Sequence, residues 1–411
     1  MARGPLRGAA LLGGSVAARF PALRHPDFRR YALGQTVSLS GFWMQTVAQA
    51  WLVYRISGSE LALGTVAFVA YLPVLGLAPV AGVVADRVDK WRFIMGTQSA
   101  AMVLALLMGI LVASGRATVP LVAVFACALG TVGAFDLPTR QSFIVEMVGQ
   151  EDLPGAIALN ASIFNSARVV GPALAGVLVA TAGEAPCFFL NSASYLAVLW
   201  AFAGMRLDER RRPIARHTNR ALRAGLRYVR QQPVQAALLL ALGLVSALGL
   251  QANVLMPSLA RRSFGRGPTG YGLLLTGYGV GAVVSALWLA SRRYTREEHC
   301  RTLLGGLAIF GLGLLGVALS PSFPLAVACQ TLAGLGMIRF TATTNTLIQL
   351  LVADDYRGRV MGLHTVMFMG MAPVGSLILG AIAEPLGARA AIVVSAAAPL
   401  TALAFLSRRL R

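Results

Sequence analysis

FIMGTQSAAMVLALLMGILVA, Phe93–Ala113, carries no charged residue. Wound as an α-helix it is about 30 Å long, the thickness of a bilayer's hydrocarbon core. Lipid offers no hydrogen bonds, so such a run must satisfy its own backbone, and a helix does that. A buried helix in a soluble protein could look the same once. Here the pattern repeats in both directions. Apolar runs lie at 32–54, 61–85, 93–113, 119–137, 156–182, 186–205, 233–257, 271–290, 302–319, 323–351, 360–384 and 388–407. The 411 residues are 56% hydrophobic and 13% charged, whereas soluble domains carry about a quarter charged residues. The expected fold is an all-α membrane protein with twelve transmembrane helices. Spans 156–182, 323–351 and 360–384 exceed what a bilayer needs, which predicts tilt, kinks or cytosolic extensions.

The net charge of +20 is sorted by side. Of the 36 lysines and arginines, 28 fall on segments expected in the cytosol, six on the opposite side, and Arg168 and Arg339 inside spans. Basic residues collect on the cytosolic side of membrane proteins. Both termini, a tail over 1–30 and a short end at 408–411, are therefore expected in the cytosol, with the chain in the cell's inner membrane. Arg3 and Arg7 precede a short apolar run, Ala9–Ala18, but Gly13, Gly14 and Ser15 interrupt it, so it reads as tail rather than signal. The charge then reports topology and anionic lipid, not nucleic acid. Cys127, Cys187, Cys300 and Cys329 show no CxxC spacing, so neither a metal site nor a disulfide framework is expected. His25, His217, His299 and His364 are scattered, with no catalytic constellation. No phosphate-binding loop occurs, and Lys90 is the only lysine. The chain reads as no enzyme, and no cofactor is expected.

The widest gap between apolar runs, 206–232, divides the helices six and six. It separates an N-terminal half, 31–205, from a C-terminal half, 233–407. Arg216, Arg220, Arg223, Arg227 and Arg230 share one helical face, which suits either a basic amphipathic helix on anionic headgroups or a solvated tether. Asp152 and Gly155 after span 4 match Asp355 and Gly358 after span 10 at one constant separation, which also pairs Asp136 with Arg339. Two pseudo-symmetric halves with a repeated turn suggest a transporter rocking about a central site.

Between spans 2 and 3 the chain reads GVVADRVDKWR, residues 82–92. This resembles the signature of the major facilitator superfamily. Gly82 allows close packing, Asp86 can receive an arginine or a helix dipole, and Arg87, Lys90 and Arg92 can hold a gating ion pair. Asp89 stands where the family has glycine. Asp136 is read as a partner for Lys90 or Arg92. In span 5, ARVVGPALAG, residues 167–176, resembles the superfamily's antiporter motif through Gly171, Pro172 and Gly176, a kink on which helices could pivot. Gly277 and Gly281 in span 8 are read as its complementary surface. The strings HPDFRRYALGQTVSLSG, AWLVYRISGS, LNASIFNSARVVGPALAG, GLRYVRQQP, YGLLLTGYGVGA and NTLIQLLVADDYRGRVMGL are similar to the transmembrane secretion effector branch, which includes enterobactin-exporter-like and macrolide-efflux-like proteins. The resemblance implies export of a small molecule (a siderophore, antibiotic or related metabolite) by proton-coupled antiport; a monomer is the expected working unit. Uptake or lipid flipping by the same fold is the alternative within transport, and a membrane-embedded scaffold or enzyme the alternative outside it.

Charges inside the membrane are costly and mark function. Arg168 shares a face with Asn165 and Pro172; Arg339 shares one with Thr343 and Thr346. Both are expected toward a central cavity and an anionic cargo, or else to pin backbone carbonyls. Ser38, Gly41, Gln45 and Gln49 form a polar stripe for a ligand or a neighbouring helix. His364 is read as a packing histidine or a proton carrier. Among the acids, Asp136, Glu146 and Glu384 lie near span ends, and Asp136 is the first choice to carry a coupling proton.

Overall fold

A computed structural model describes residues 21–205, 226–292 and 294–410, apart from the side chains of Ala78, Pro79 and Asp86. Every regular element among the described residues is helical. The first half contains α1 (Pro26–Ser57), α2 (Glu60–Arg87), α3 (Lys90–Ala113), α4 (Val119–Val148), α5 (Leu153–Ala182) and α6 (Ala185–Ala203). The second begins with α7 (Pro233–Ser263), α8 (Pro268–Ala290), α9 (Arg296–Leu319) and α10 (Phe323–Leu351), followed by the stretch Asp354–Arg409. Ten of these segments are long and apolar enough to cross a membrane. Two more crossings complete twelve. Gly387 adopts φ 82° and ψ 158°, a left-handed backbone that glycine tolerates, and it splits the last stretch into α11 (354–386) and α12 (388–409). The other is α1, whose 32 residues are long enough but include Gln35, Gln45 and Gln49. Leucines face outward: Leu386 is 68%, Leu287 64% and Leu240 63% exposed, as lipid contact requires.

Local chemistry sets the helix ends. Asp89, in the place of a family glycine, accepts a hydrogen bond from the Arg92 amide at 3.0 Å and caps α3, satisfying one otherwise orphan donor. Ser59 does the same for α2 through the Ala62 amide. Helix α4 continues to Val148, beyond the expected end at 137, so Asp136 lies about three turns inside the helix. Helix α7 is irregular, with π-helical turns at Val245–Gly249 and Leu259–Ser263 around a 3-10 segment, Leu250–Leu255. Such turns often mark hinges or functional positions.

In the first half α1 packs between α5 and α6, and α4 between α2 and α3; in the second α10 lies between α8 and α9, and α7 against α11. Two seams join the halves, α5 with α8 and α2 with α11. Both depend on small residues. A Cβ on Gly272 of α8 would come 2.7 Å from the Pro172 carbonyl of α5, and one on Gly64 of α2 would clash with the Ser376 carbonyl of α11. In lipid, where burial against another helix gains little over burial in acyl chains, such close contact is what holds helices together. Of the connector, residues 206–225, with Arg216, Arg220 and Arg223, lie outside the described residues. Arg227 and Arg230 are exposed, and Tyr228 stacks on Tyr356 at 4.3 Å.

Candidate transport pathway and its gates

The bundle has one closed end, holding the α1–α2, α7–α8 and α11–α12 turns. There the halves are bolted by charge. Glu60, at the start of α2, is 1% exposed. It accepts hydrogen bonds from Ser258 Oγ at 2.5 Å and Arg262 Nη1 at 3.0 Å, both on irregular α7. Arg262 also donates to the Gly58 carbonyl at 2.6 Å. From α11, Glu384 accepts from Ser59 Oγ and the Leu61 amide, each at 2.8 Å. Arg55 and Glu184 pair at 2.7 Å within the first half. Sequence reading passed over Glu60, because an acid in a helix's first turn is ordinary dipole chemistry; its burial comes from Arg262, two hundred residues downstream.

Arg168 stands at the α5–α8 seam. Its guanidinium lies 5.2 Å from the Trp43 ring of α1 and 5.4 Å from the Tyr278 ring of α8, and Tyr71 of α2 is near enough to feel its charge. No ion pair among the described residues includes it. Trp43 Nε1 is buried without a partner. Four helices from both halves thus meet an unneutralised cation flanked by aromatic faces, which attract cations and stack on planar ligands. Asn165 is half-buried and returns its amide to the Ala161 carbonyl at 2.8 Å.

The opposite end is open. Among the described residues no hydrogen bond or ion pair crosses between the halves there, and those present stay within one half. The exposed Arg87 and Arg92 flank the mouth; the side chain of Asp86 lies outside the described residues. Lys90 pairs with Glu146 at the end of α4, and both are largely buried. The expected pairing of Lys90 or Arg92 with Asp136 is thereby corrected, because Asp136 sits too deep. Its carboxylate is 6% exposed, is bound by Arg140 one turn on, and accepts from Thr97 Oγ1 at 2.7 Å and Gln98 Nε2 at 2.9 Å. Arg140 reaches Gln35 of α1 at 2.6 Å. Arg140, expected in a cytosolic loop, is therefore a helix-interior group serving a buried network. Its i,i+4 spacing from Asp136 was the available signal. His25 and Asp152 meet at 2.7 Å, fastening the segment before α1 to the start of α5.

Other expected site residues fall elsewhere. Gln45 accepts from Asn191 of α6 at 2.6 Å, and Gly41 faces Ser194 and Asn191. The α1 stripe is thus an α1–α6 seam, with Gln49 half-buried on its extension. Gly171 backs onto Trp43 and Ser40 of α1, while Gly176 meets Gly272 of α8. Gly277 and Gly281 face Thr331 of α10, not α5; Gly272 and Gly279 are the α8 glycines against α5. Thr343 is buried with Oγ1 unpartnered. His364 is 7% exposed, its Nε2 also unpartnered, and stacks on Phe368 at 6.2 Å. Arg339 does not reach the space between the halves. It lies 4.0 Å over Trp288 of α8 and lines a crevice with Leu312 and Leu332, which are 59% and 50% exposed on the outside of the bundle.

The model of one family, described as transmembrane secretion effector, matches residues 17–411. The chain belongs to the transmembrane secretion effector family. This is a branch of the major facilitator superfamily, so the protein is a multi-pass secondary transporter of a small molecule and not an enzyme. It is 25% identical to the staphyloferrin A transporter of Staphylococcus aureus over 350 residues, 84% of this chain and 87% of that one. It is 26% identical to the multidrug efflux pump Tap of Mycolicibacterium fortuitum over 373 residues, 85% of this chain and 88% of that one. The fold matches the crystal structure of a bacterial homologue of the human lysosomal transporter Spinster, in an inward-facing and occupied conformation. The TM-score is 0.73 at 14% identity, covering 93% of this chain and 96% of that one.

Proposed function

We propose that this secretion effector exports a small organic anion, of the carboxylate-siderophore or antibiotic class, across the inner membrane by alternating access. The observation that carries the reading is closure at one end only. One ion pair and several hydrogen bonds cross between the halves at the end holding Glu60 and Arg262, while among the described residues the hydrogen bonds and ion pairs at the end holding Gly82 and Gly358 stay within one half. Sequence patterning assigns most of the basic residues to segments on the open side, so that side is read as the cytosol, with the termini and connector there. The structure is then the inward-facing member of a cycle, waiting for cargo from inside. Arg168 with Trp43 and Tyr278 is the cargo-binding group, since an unpaired cation at this depth is stabilised by a bound anion. Export rather than uptake is supported by the family's description and by the efflux activity in Tap's name.

Opening outward requires the Glu60–Arg262 and Glu384–Ser59 contacts to part and the 82–92 segment to close on the second half. Asp86, Arg87, Lys90 and Arg92 form the cytosolic gate in this reading, with Gly171–Pro172 as the bend in α5. Two buried carboxylates, Glu60 and Asp136, are each held by one arginine that a proton would release. They are the candidates for proton-coupled antiport by a single chain. In everted membrane vesicles energised acid-inside, a carboxylate siderophore should accumulate, and a protonophore should abolish the accumulation. Accumulation in right-side-out vesicles instead would make the protein an importer.

A further inference from the structure

The outer face of the second half carries a second cationic group that transport does not use. Leu332, Leu335 and Arg339 lie on one face of α10, at i, i+3 and i+7. Gln330, on the opposite face, is 0% exposed and bonded to Asn253 of α7 at 2.7 Å. The Arg339 face is therefore turned away from α7 and from the other half. With Ile309, Leu312 and Gly313 of α9 it lines an open crevice of about 350 Å³. All its lining groups are apolar except Arg339. That arginine lies against Trp288, close to the C-terminal end of α8.

Around the mouth the chemistry is cationic and incomplete. Trp288 has the Arg339 guanidinium at 4.0 Å and that of Arg292 at 5.1 Å. Neither arginine has an acidic partner among the described residues, and the nearby carboxylates are engaged, Glu297 with Arg301 and Glu298 with Thr295. Tyr294 lies 5.8 Å from Trp288, and His299 lies 5.3 Å from Tyr294. Arg339 Nε, Tyr294 Oη and His299 Nδ1 are all buried without hydrogen-bond partners among the described residues. Two unneutralised guanidinium groups on one indole, with orphan polar atoms on Arg339, on the adjoining Tyr294 and on His299 beside it, call for an anion with several acceptor oxygens. Trp and Tyr mark the headgroup level of a bilayer. An anion at that depth, continuous with a greasy slot facing lipid, carries a tail.

We propose that this crevice binds one anionic phospholipid of the leaflet at the open end, its phosphate held by Arg339 and Arg292 and an acyl chain laid along Leu312, Leu332 and Leu335. The inference rests on the membrane fold alone and stands whatever the cargo. It also gives Arg339 a partner in place of the central cavity.

The test is native mass spectrometry of the full chain, titrated with phosphatidylglycerol or phosphatidylcholine. We expect one phosphatidylglycerol bound about fivefold or more tightly than phosphatidylcholine, as one recruited arginine supplies. Arg339→Gln should erase that preference. Leu312→Trp, which keeps both charges and fills the slot, should lose the bound lipid, and it decides the matter if Arg339→Gln fails to fold. Leu240→Trp, at a lipid-facing position on α7, should change nothing. Undiminished phosphatidylglycerol preference in Arg339→Gln or Leu312→Trp would overturn the proposal. So would displacement of the lipid by glycerol phosphate, which would make this a site for a soluble anion.

Discussion

Arg168 and Glu60 are both charges taken from water, but they differ in what answers them. Glu60 is satisfied by Ser258 and Arg262, and only its own end of the pair is buried: Arg262 remains 54% exposed. Such a half-wet pair contributes up to about 1 kcal/mol, enough to bias a conformational equilibrium and weak enough to break in every cycle. Glu60→Gln, which imitates the protonated acid, should therefore loosen the closed end. With the native cysteines replaced and a single cysteine at Ser376, labelling by a membrane-impermeant maleimide should rise about fivefold; unchanged labelling would deny Glu60 its role. Arg168 has only two aromatic rings. An anionic cargo that gains a charge-assisted contact there should lose about tenfold to a hundredfold in affinity on Arg168→Ala, while a neutral cargo of similar size should lose far less. Equal losses, read by isothermal titration, would return Arg168 to a packing role.

Helices were legible where their apolar length exceeded any soluble use, as in α3, and obscure where polar residues paired with one another. Asp136 and Arg140 satisfy each other one turn apart, so what looked like the edge of a loop is helix interior. Registers were hidden for another reason. GxxxG spacing marks a face that admits close approach but does not say which neighbour takes it. Gly277 and Gly281 went to α10, and Gly272 and Gly279 to α5. The same blindness turned Gln45 into a ligand candidate when its partner is Asn191. The α5–α8 seam gives a test at this scale. Gly272→Leu would drive a side chain into Pro172 and Gly176, an overpacking cost of about 1–3 kcal/mol charged only to the closed state. The variant should insert normally and occupy outward-open conformations in its resting state, checked by the same Ser376 labelling. Gly277→Leu, aimed into α10, should instead lower the melting temperature without shifting labelling between ends.

At the scale of the whole molecule, twelve helices in two halves meet along two seams, and the contacts crossing them concentrate at one end. Composition and the spacing of apolar runs were enough to anticipate the membrane and the helix number. The one-sided closure was beyond them, since it depends on side chains from opposite halves, Glu60 with Arg262 and Glu384 with Ser59, whose proximity no local pattern encodes. Two rigid halves that close at one end must open at the other if cargo is to cross, and that reciprocity is the centre of the mechanism. Double electron–electron resonance measures it directly. One spin-label pair, at Asp89 and Arg357, spans the open end; a second, at Ser57 and Gly265, spans the closed end. On adding cargo with an acid outer compartment, we expect the first distance to shorten while the second lengthens. If both distances move in the same direction, or neither moves while transport proceeds, alternating access by these two halves is contradicted.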